Sequence, residues 1–237
     1  MGRGLSIICL SLFLLLFPAV IHAEIVVFDS ITALKRPIML KALVKGRFFP
    51  AGGKLVDFFI DGKHIGKTLS GWDGYAFFKY IPKRSGLKTV MVKSGGESAE
   101  GLILVTRKNE KVILLEIEGG IMESLSSREP KKGSREGIKK IMVKYRIIYL
   151  TTKFGLSRSR KWLEEGNLPL PVILQWTGAE LLDELSRLGI KVIAIIGSAP
   201  LMAEASEHIR KRYSFDDTED AIVVKDWEEL SKKLRVE

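Results

Sequence analysis

The chain is short of the residues that build metal and redox sites. Its 237 residues include one cysteine, Cys9, and three histidines. A zinc finger, an iron–sulfur cluster and a disulfide scaffold each need several such ligands, so all three are excluded. Only 8 prolines and 22 glycines are present, which rules out a collagen-like or low-complexity chain. Acidic residues are in deficit, 28 against 38 Lys and Arg, for a formal net charge of +10. Hydrophobic residues are not scarce: at 46% they are too many for a disordered chain and suit a globular one.

Residues 1–23, MGRGLSIICLSLFLLLFPAVIHA, read as an address. Arg3 precedes an apolar run from Leu5 to Phe17, followed by Pro18 and the small residue Ala23. That is the pattern of a secretory signal peptide, and it predicts an extracytoplasmic protein, periplasmic or secreted. The alternative is an uncleaved anchor, because Leu5 to Ala23 approaches the ~20 residues that span a bilayer. Ile8 before Cys9 is too large for a lipoprotein cleavage site. Cleavage after Ala23 removes the only cysteine and leaves His64 and His208 as the histidines. A Ser–His–Asp hydrolase finds no support, since no G-x-S-x-G elbow is present.

The remainder divides near Thr106–Glu110, predicting an α+β chain of two domains, 24–108 and 109–237. Residues 24–108 carry 15 Lys and Arg against 7 Asp and Glu; residues 109–237 carry 22 against 21. The first part reads as short strands with turn punctuation: Ile25–Phe28, Ile38–Gly46, Lys54–Ile60, Lys63–Leu69, Tyr75–Tyr80, Leu87–Ser94 and Leu102–Arg107. Asp61-Gly62 is a hairpin signal, and Gly71-Trp72-Asp73-Gly74 is a second turn. Strands of this number and spacing predict a β-sandwich. The stretch VDFFIDGKHIGKTLSGWDGYAFFKY, followed by Ser85-Gly86-Leu87-Lys88, resembles the immunoglobulin-like modules of bacterial surface and secreted proteins. The basic surface has two readings: solvated lysines that blunt edge strands, or a patch for an anionic membrane, polysaccharide or nucleic acid. The export signal disfavours nucleic acid. Phe48 and Phe49 beside Gly52-Gly53 are expected in core and turn, with a sticky loop tip as the alternative.

From Lys111 the pattern alternates. Strands are expected at Val112–Ile117, Arg146–Thr152, Val172–Trp176, Lys191–Ile196 and Ala221–Val224. Helices are expected at Ser134–Lys144, Ser157–Glu165, Ala179–Leu188, Leu201–Arg212 and Trp227–Leu234. Continuous apolar strands between amphipathic helices imply a parallel sheet covered on both faces, with function at the carboxyl ends of the strands.

Those ends read VILLEIEGG (Val112–Gly120), RIIYLTT (Arg146–Thr152) and VIAIIGSAPLMAEA (Val192–Ala205). Their order and spacing resemble the haloacid dehalogenase superfamily, whose α/β (Rossmannoid) fold is thereby implied. The segment IIYLTTKFGLSRSRKWLEEGNLPLPVILQW is similar to the lipin-type domain of phosphatidate phosphatases and phosphatidylinositol-transfer proteins. Tyr149, Leu150, Thr151, Arg160, Trp162, Leu163, Leu168, Pro169 and Pro171 carry that match. The resemblance implies a carboxylate nucleophile, a second carboxylate as acid/base, a phosphate-binding hydroxyl, a lysine and Mg²⁺.

Most of that chemistry is missing. Both first-motif aspartates are glutamates, Glu116 and Glu118, each with an extra methylene, and a misplacement of about 1 Å costs on the order of 10²-fold. The Thr of that motif is Gly120. The fourth motif aligns with Gly197–Ala205, so its acidic positions fall on Ser198 and Met202. No lysine stands near Thr177–Glu180. Thr151 alone matches its role. The vestigial positions are therefore Glu116, Glu118, Thr151 and Ser198. A weak metal site between Glu116 and Glu118 is the functional alternative; polar residues left at a strand end are the structural one. Thr151, Thr152, Lys153, Arg158 and Arg160 are the ligand candidates, suited to a phosphate headgroup, with a solvated helix face as the other reading. The acidic loop Asp216, Asp217, Glu219 and Asp220 lacks the spacing of a Ca²⁺ site.

The expected function is a non-catalytic, pseudophosphatase-like binding or scaffold protein outside the cytoplasm, without a cofactor. Its partner would be an anionic lipid, a phosphate compound or another protein, and it would meet a membrane only through an uncleaved N-terminus or surface charge. One alternative is a Mg²⁺-dependent phosphatase using Glu116 and Glu118. The other is a purely structural envelope protein, which a filled cleft at Glu116 and Thr151 would favour.

Overall fold

The computed structural model describes residues 24–46 and 49–235. The segment expected to be a signal peptide or anchor, and Phe48, lie outside the described residues. Among the described residues no helix is long and apolar enough to cross a membrane.

The first part is a sandwich of two sheets. One contains β1 (Glu24–Val27), β3 (Ile38–Lys45) and β6 (Tyr75–Tyr80), in the order β1-β3-β6. The other contains β2 (Ser30–Ala33), β4 (Leu55–Ile60), β5 (Lys63–Leu69), β7 (Gly86–Ser94) and β8 (Glu97–Thr106), in the order β2-β8-β7-β4-β5. Alternation decides which side chains face inward. Leu40, Ala42 and Val44 of β3 meet Val56, Phe58 and Ile60 of β4 and Val90 and Val92 of β7 in one core. Asp61 and Gly62 both have positive φ, 49° and 79°, as the tight β4–β5 hairpin requires. Strand β2 was not expected from the sequence. It pairs parallel to β8, from Ser30 opposite Ile103 to Ala33 opposite Thr106.

The second part is one parallel sheet of six strands: β9 (Lys111–Glu116), β10 (Arg146–Thr151), β11 (Ile173–Gln175), β12 (Lys191–Gly197), β13 (Arg212–Ser214) and β14 (Ile222–Val223). Their order is β11-β10-β9-β12-β13-β14. Counted within this part, that is 3-2-1-4-5-6, so the direction of winding reverses between β9 and β12. Helices α1 (Ser134–Met142), α2 (Leu156–Glu165) and α5 (Trp227–Arg235) cover one face through Ile138, Trp162, Leu163, Trp227 and Leu230. Helices α3 (Ala179–Arg187) and α4 (Ala199–Glu204) cover the other through Leu182, Leu185 and Leu201. Both faces of β9 are consumed, Ile113 and Leu115 on one side and Val112 and Leu114 on the other.

The helix expected over Leu201–Arg212 stops at Glu204. The chain turns through His208, which is exposed, and Arg212–Ser214 becomes a strand beside β12. Backbone pairing to the sheet there overrides a helix-like pattern.

The two parts share a core. Ile31 of β2 and Leu104 of β8 pack in the same cluster as Leu114, Leu174 and Leu181 of the α/β part. Asp29, between β1 and β2, joins them covalently distant as they are: its carboxylate accepts from Leu102 N (2.7 Å), from Ile173 N at the start of β11 (2.8 Å), and from Arg160 Nη2 of α2 (2.5 Å).

Candidate functional site

The reversal of winding places the ends of β9 and β12 side by side, where ligands of open α/β sheets bind. Glu116 ends β9. A single π-helical turn, Ile117–Ile121, follows it and carries Glu118 back toward the end of β10. Thr151 ends β10, and Ser198 follows β12. The structure thus brings Glu116, Glu118, Thr151 and Ser198 together at one end of the parallel sheet.

The carboxylates are not free. Glu118 is 6% exposed and Glu116 1%. Glu118 Oε1 accepts the Thr151 hydroxyl at 2.6 Å, Lys153 N at 3.1 Å and Phe154 N at 3.0 Å. Its Oε2 accepts Thr152 N at 3.2 Å. Three successive backbone N–H groups and a hydroxyl therefore form a nest, the kind of concavity that holds an anion, and the anion in it is the chain's own carboxylate. Glu116 Oε1 accepts the Thr152 hydroxyl at 2.6 Å, and its Oε2 accepts Ser198 N at 2.6 Å. A third carboxylate closes the row: Asp216 Oδ2 accepts Ala199 N at the start of α4, 3.2 Å away.

Close backbone packing seals the arrangement. A side chain at Gly119 would collide with Ser198 N and lie 2.5 Å from Glu116 Oε2. One at Gly197 would lie 2.6 Å from the same oxygen. Glycine at both positions lets the π turn, the β12 end and the Glu116 carboxylate occupy one small volume.

The ligand candidates have separate fates. Thr151 is fully buried, and its hydroxyl also accepts from Ser159 Oγ at 3.1 Å. Thr152 and Lys153 lend their backbone N–H groups to Glu118, while the Lys153 side chain is exposed. Arg158 lies over the Phe154 ring, 4.0 Å from its centre. Arg160 is turned to Asp29 and serves the junction between the two parts. Tyr149 is buried with no hydrogen-bond partner for its hydroxyl among the described residues, and burial pushes its phenol pKa well up. Asp29 is the polar residue that the sequence reading passed over. Burial raises its carboxyl above the ordinary value, against the lowering pull of Arg160 and of the Ile173 and Leu102 N–H groups.

Mg²⁺ does not fit this constellation. It wants oxygen acceptors and retained waters in octahedral array, whereas the groups converging on Glu116 and Glu118 are N–H and O–H donors. Among the described residues no set of three or more His, Cys, Asp or Glu is placed to hold a metal.

No family model matches the chain, and no curated protein matches it. Solved structures similar to part of it include the D00-D0 domain of intimin, at 12% identity and a TM-score of 0.31. That match covers 36% of this chain and 48% of the intimin chain, about half its length. The CARDB domain of the PF1109 protein from Pyrococcus furiosus matches at 13% identity and a TM-score of 0.29, over 37% of this chain and 94% of that one. Fibronectin(III)-like modules of Clostridium thermocellum CbhA match at 13% and 0.27, over 37% and 48%. Each of these three matches covers a little over a third of this chain.

Proposed function

We propose that the chain is a non-catalytic scaffold protein whose α/β part is a self-filled relative of the haloacid dehalogenase fold, closest in its middle segment to the lipin-type domain. One observation carries this reading. At the strand ends where a phosphoryl group would sit, the Thr151 hydroxyl and the N–H groups of Thr152, Lys153, Phe154, Ser198 and Ala199 already hold Glu116, Glu118 or Asp216. A nucleophile must approach phosphorus in line and unencumbered. Glu116 is buried, with both oxygens engaged. The same occupancy argues against a phosphate headgroup at Thr151, Thr152 and Lys153, and favours a structural role over an anion-binding one. The strand order 3-2-1-4-5-6 and the strand-end placement of the vestigial residues support the implied ancestry. The export pattern in residues 1–23 puts this role outside the cytoplasm.

The test is turnover of p-nitrophenyl phosphate and phosphatidate by the purified chain, with and without Mg²⁺, beside Glu116→Ala. The expected result is no turnover above the variant. Mg²⁺-dependent turnover lost in Glu116→Ala would make Glu116 a nucleophile and end this reading.

A further inference from the structure

Among the described residues, one end of the sandwich carries its two most exposed aromatic side chains, Trp72 and Phe49. Strand register identifies that end. Glu24 lies opposite Lys45, Leu43 opposite Tyr75, and Leu55 opposite Leu69. The start of β1, the β3–β4 loop and the β5–β6 turn therefore meet there. The loop and the turn are pressed together: Gly53 N donates to Ser70 O at 2.9 Å, and a side chain at Gly52 would lie 2.9 Å from the Trp72 Cα. The connection to the α/β part leaves from Thr106, at the opposite end of β8.

Four large apolar side chains stand in solvent at this tip. Trp72 is 92% exposed, Phe49 78%, Leu69 62% and Leu55 49%. The sequence reading favoured core for Phe49; the structure places it on the loop surface. The backbone of this segment is held by Gly46 N to Phe49 O and Ala51 N to Val44 O bonds. Lys54, exposed between Gly53 and Leu55, adds a cation beside them.

What the chain does just before this tip decides the occupant. The apolar run Leu5–Ala23 joins Glu24 with no spacer, and Glu24 is at this same end. We propose that the tip is a membrane-contacting surface, an inference that rests on reading residues 5–23 as the uncleaved anchor: Trp72, Phe49, Leu69 and Leu55 seat in the interfacial layer of a phospholipid bilayer, and the α/β part faces the aqueous phase. Tryptophan and phenylalanine suit that layer, which is apolar on one side and wet on the other. Lys54 suits a headgroup phosphate. Shallow apolar contacts of this kind add to a single anchor and fix the orientation of the domain on the surface.

The test uses the full chain in vesicles of phosphatidylcholine and phosphatidylglycerol. Cys9→Ser removes the only thiol, so Trp72→Cys in that background carries one nitroxide at the tip. Ile81→Cys carries one at the opposite end of the sandwich, where Ile81 is 51% exposed. Both substitutions are at exposed sites and leave the core intact. The expected result is a several-fold lower collision rate with an aqueous nickel chelate at position 72 than at position 81, with a higher rate toward lipid-dissolved oxygen. Equal access to nickel at the two positions overturns the proposal. So does broadening of the position-72 spectrum that disappears on dilution with unlabelled chain, since that means the tips of two copies pack together.

Discussion

Glu118 shows how one side chain defines what a site does. Its carboxylate collects four donors from Thr151 to Phe154 and lends their segment a fixed shape. Removing it takes the acceptor from the buried Thr151 hydroxyl and from three part-buried N–H groups, at about 1–3 kcal/mol for each that water does not reach. Glu118→Ala is therefore expected to lower stability by about 3 kcal/mol or more, seen in chemical denaturation. The atoms removed correspond to acetate. Acetate at high concentration is expected to restore part of the loss in Glu118→Ala, relative to chloride at equal ionic strength, and to leave the parent chain unmoved. If acetate and chloride act alike on the variant, the nest is not an anion site. Glu116, Thr151 and Ser198 were legible in the sequence because apolar strands stop at or just before them, and Glu118 because the motif resemblance pointed to it. Their mutual saturation was not. It depends on the backbone path of residues 152–154 and on the π turn, neither of which leaves a periodic signal. Asp29 was silent for a related reason: a lone acid between two short strands acquires meaning only when Ile173 and Arg160 arrive from far along the chain.

At the scale of elements, long periodic segments were readable and short ones were not. Lys63–Leu69 and Tyr75–Tyr80 form strands with the expected bounds, since alternation and flanking turns define them. Strand β2 has four residues and too little pattern to register. Strand β13 starts at the last residue of the stretch read as a helix and runs past it, and its conformation comes from its neighbours β12 and β14. The β1–β2 connection, α2 and the start of β11 are held together by the buried Asp29 carboxylate and Arg160. Breaking one partner of such a pair strands the other charge. Arg160→Ala is expected to cost about 3 kcal/mol at neutral pH. The sign with pH follows from the raised pKa of Asp29. Between the unfolded and the higher folded value the native state binds more protons, so this group's contribution to stability falls as pH rises. Losing Arg160 raises the folded value further. The deficit of Arg160→Ala relative to the parent should therefore shrink as pH is lowered toward the ordinary carboxylate range. A deficit that stays constant or grows in acid would show that Asp29 is not the group left stranded.

For the whole molecule, the question is whether two architectures behave as one body. The sandwich could hang from the α/β part by residues 107–110 alone, and each would then melt on its own. The structure argues otherwise. Ile31 and Leu104 of the sandwich sit in the core cluster that covers one face of the parallel sheet, so that face is completed partly by the other domain. The Asp29 cluster crosses the same boundary. An α/β sheet stripped of part of its cover exposes apolar strands and loses stability. The purified chain is accordingly expected to unfold in a single calorimetric transition whose calorimetric and van't Hoff enthalpies agree. Ile31→Ala, which removes buried methyl groups from this boundary at about 2–5 kcal/mol, should separate the transition into two or lower it as a unit. Two well-resolved transitions in the parent chain would show that the shared cluster does not couple the parts. The α/β part would then owe nothing to the sandwich, and the scaffold reading would need each domain to act alone.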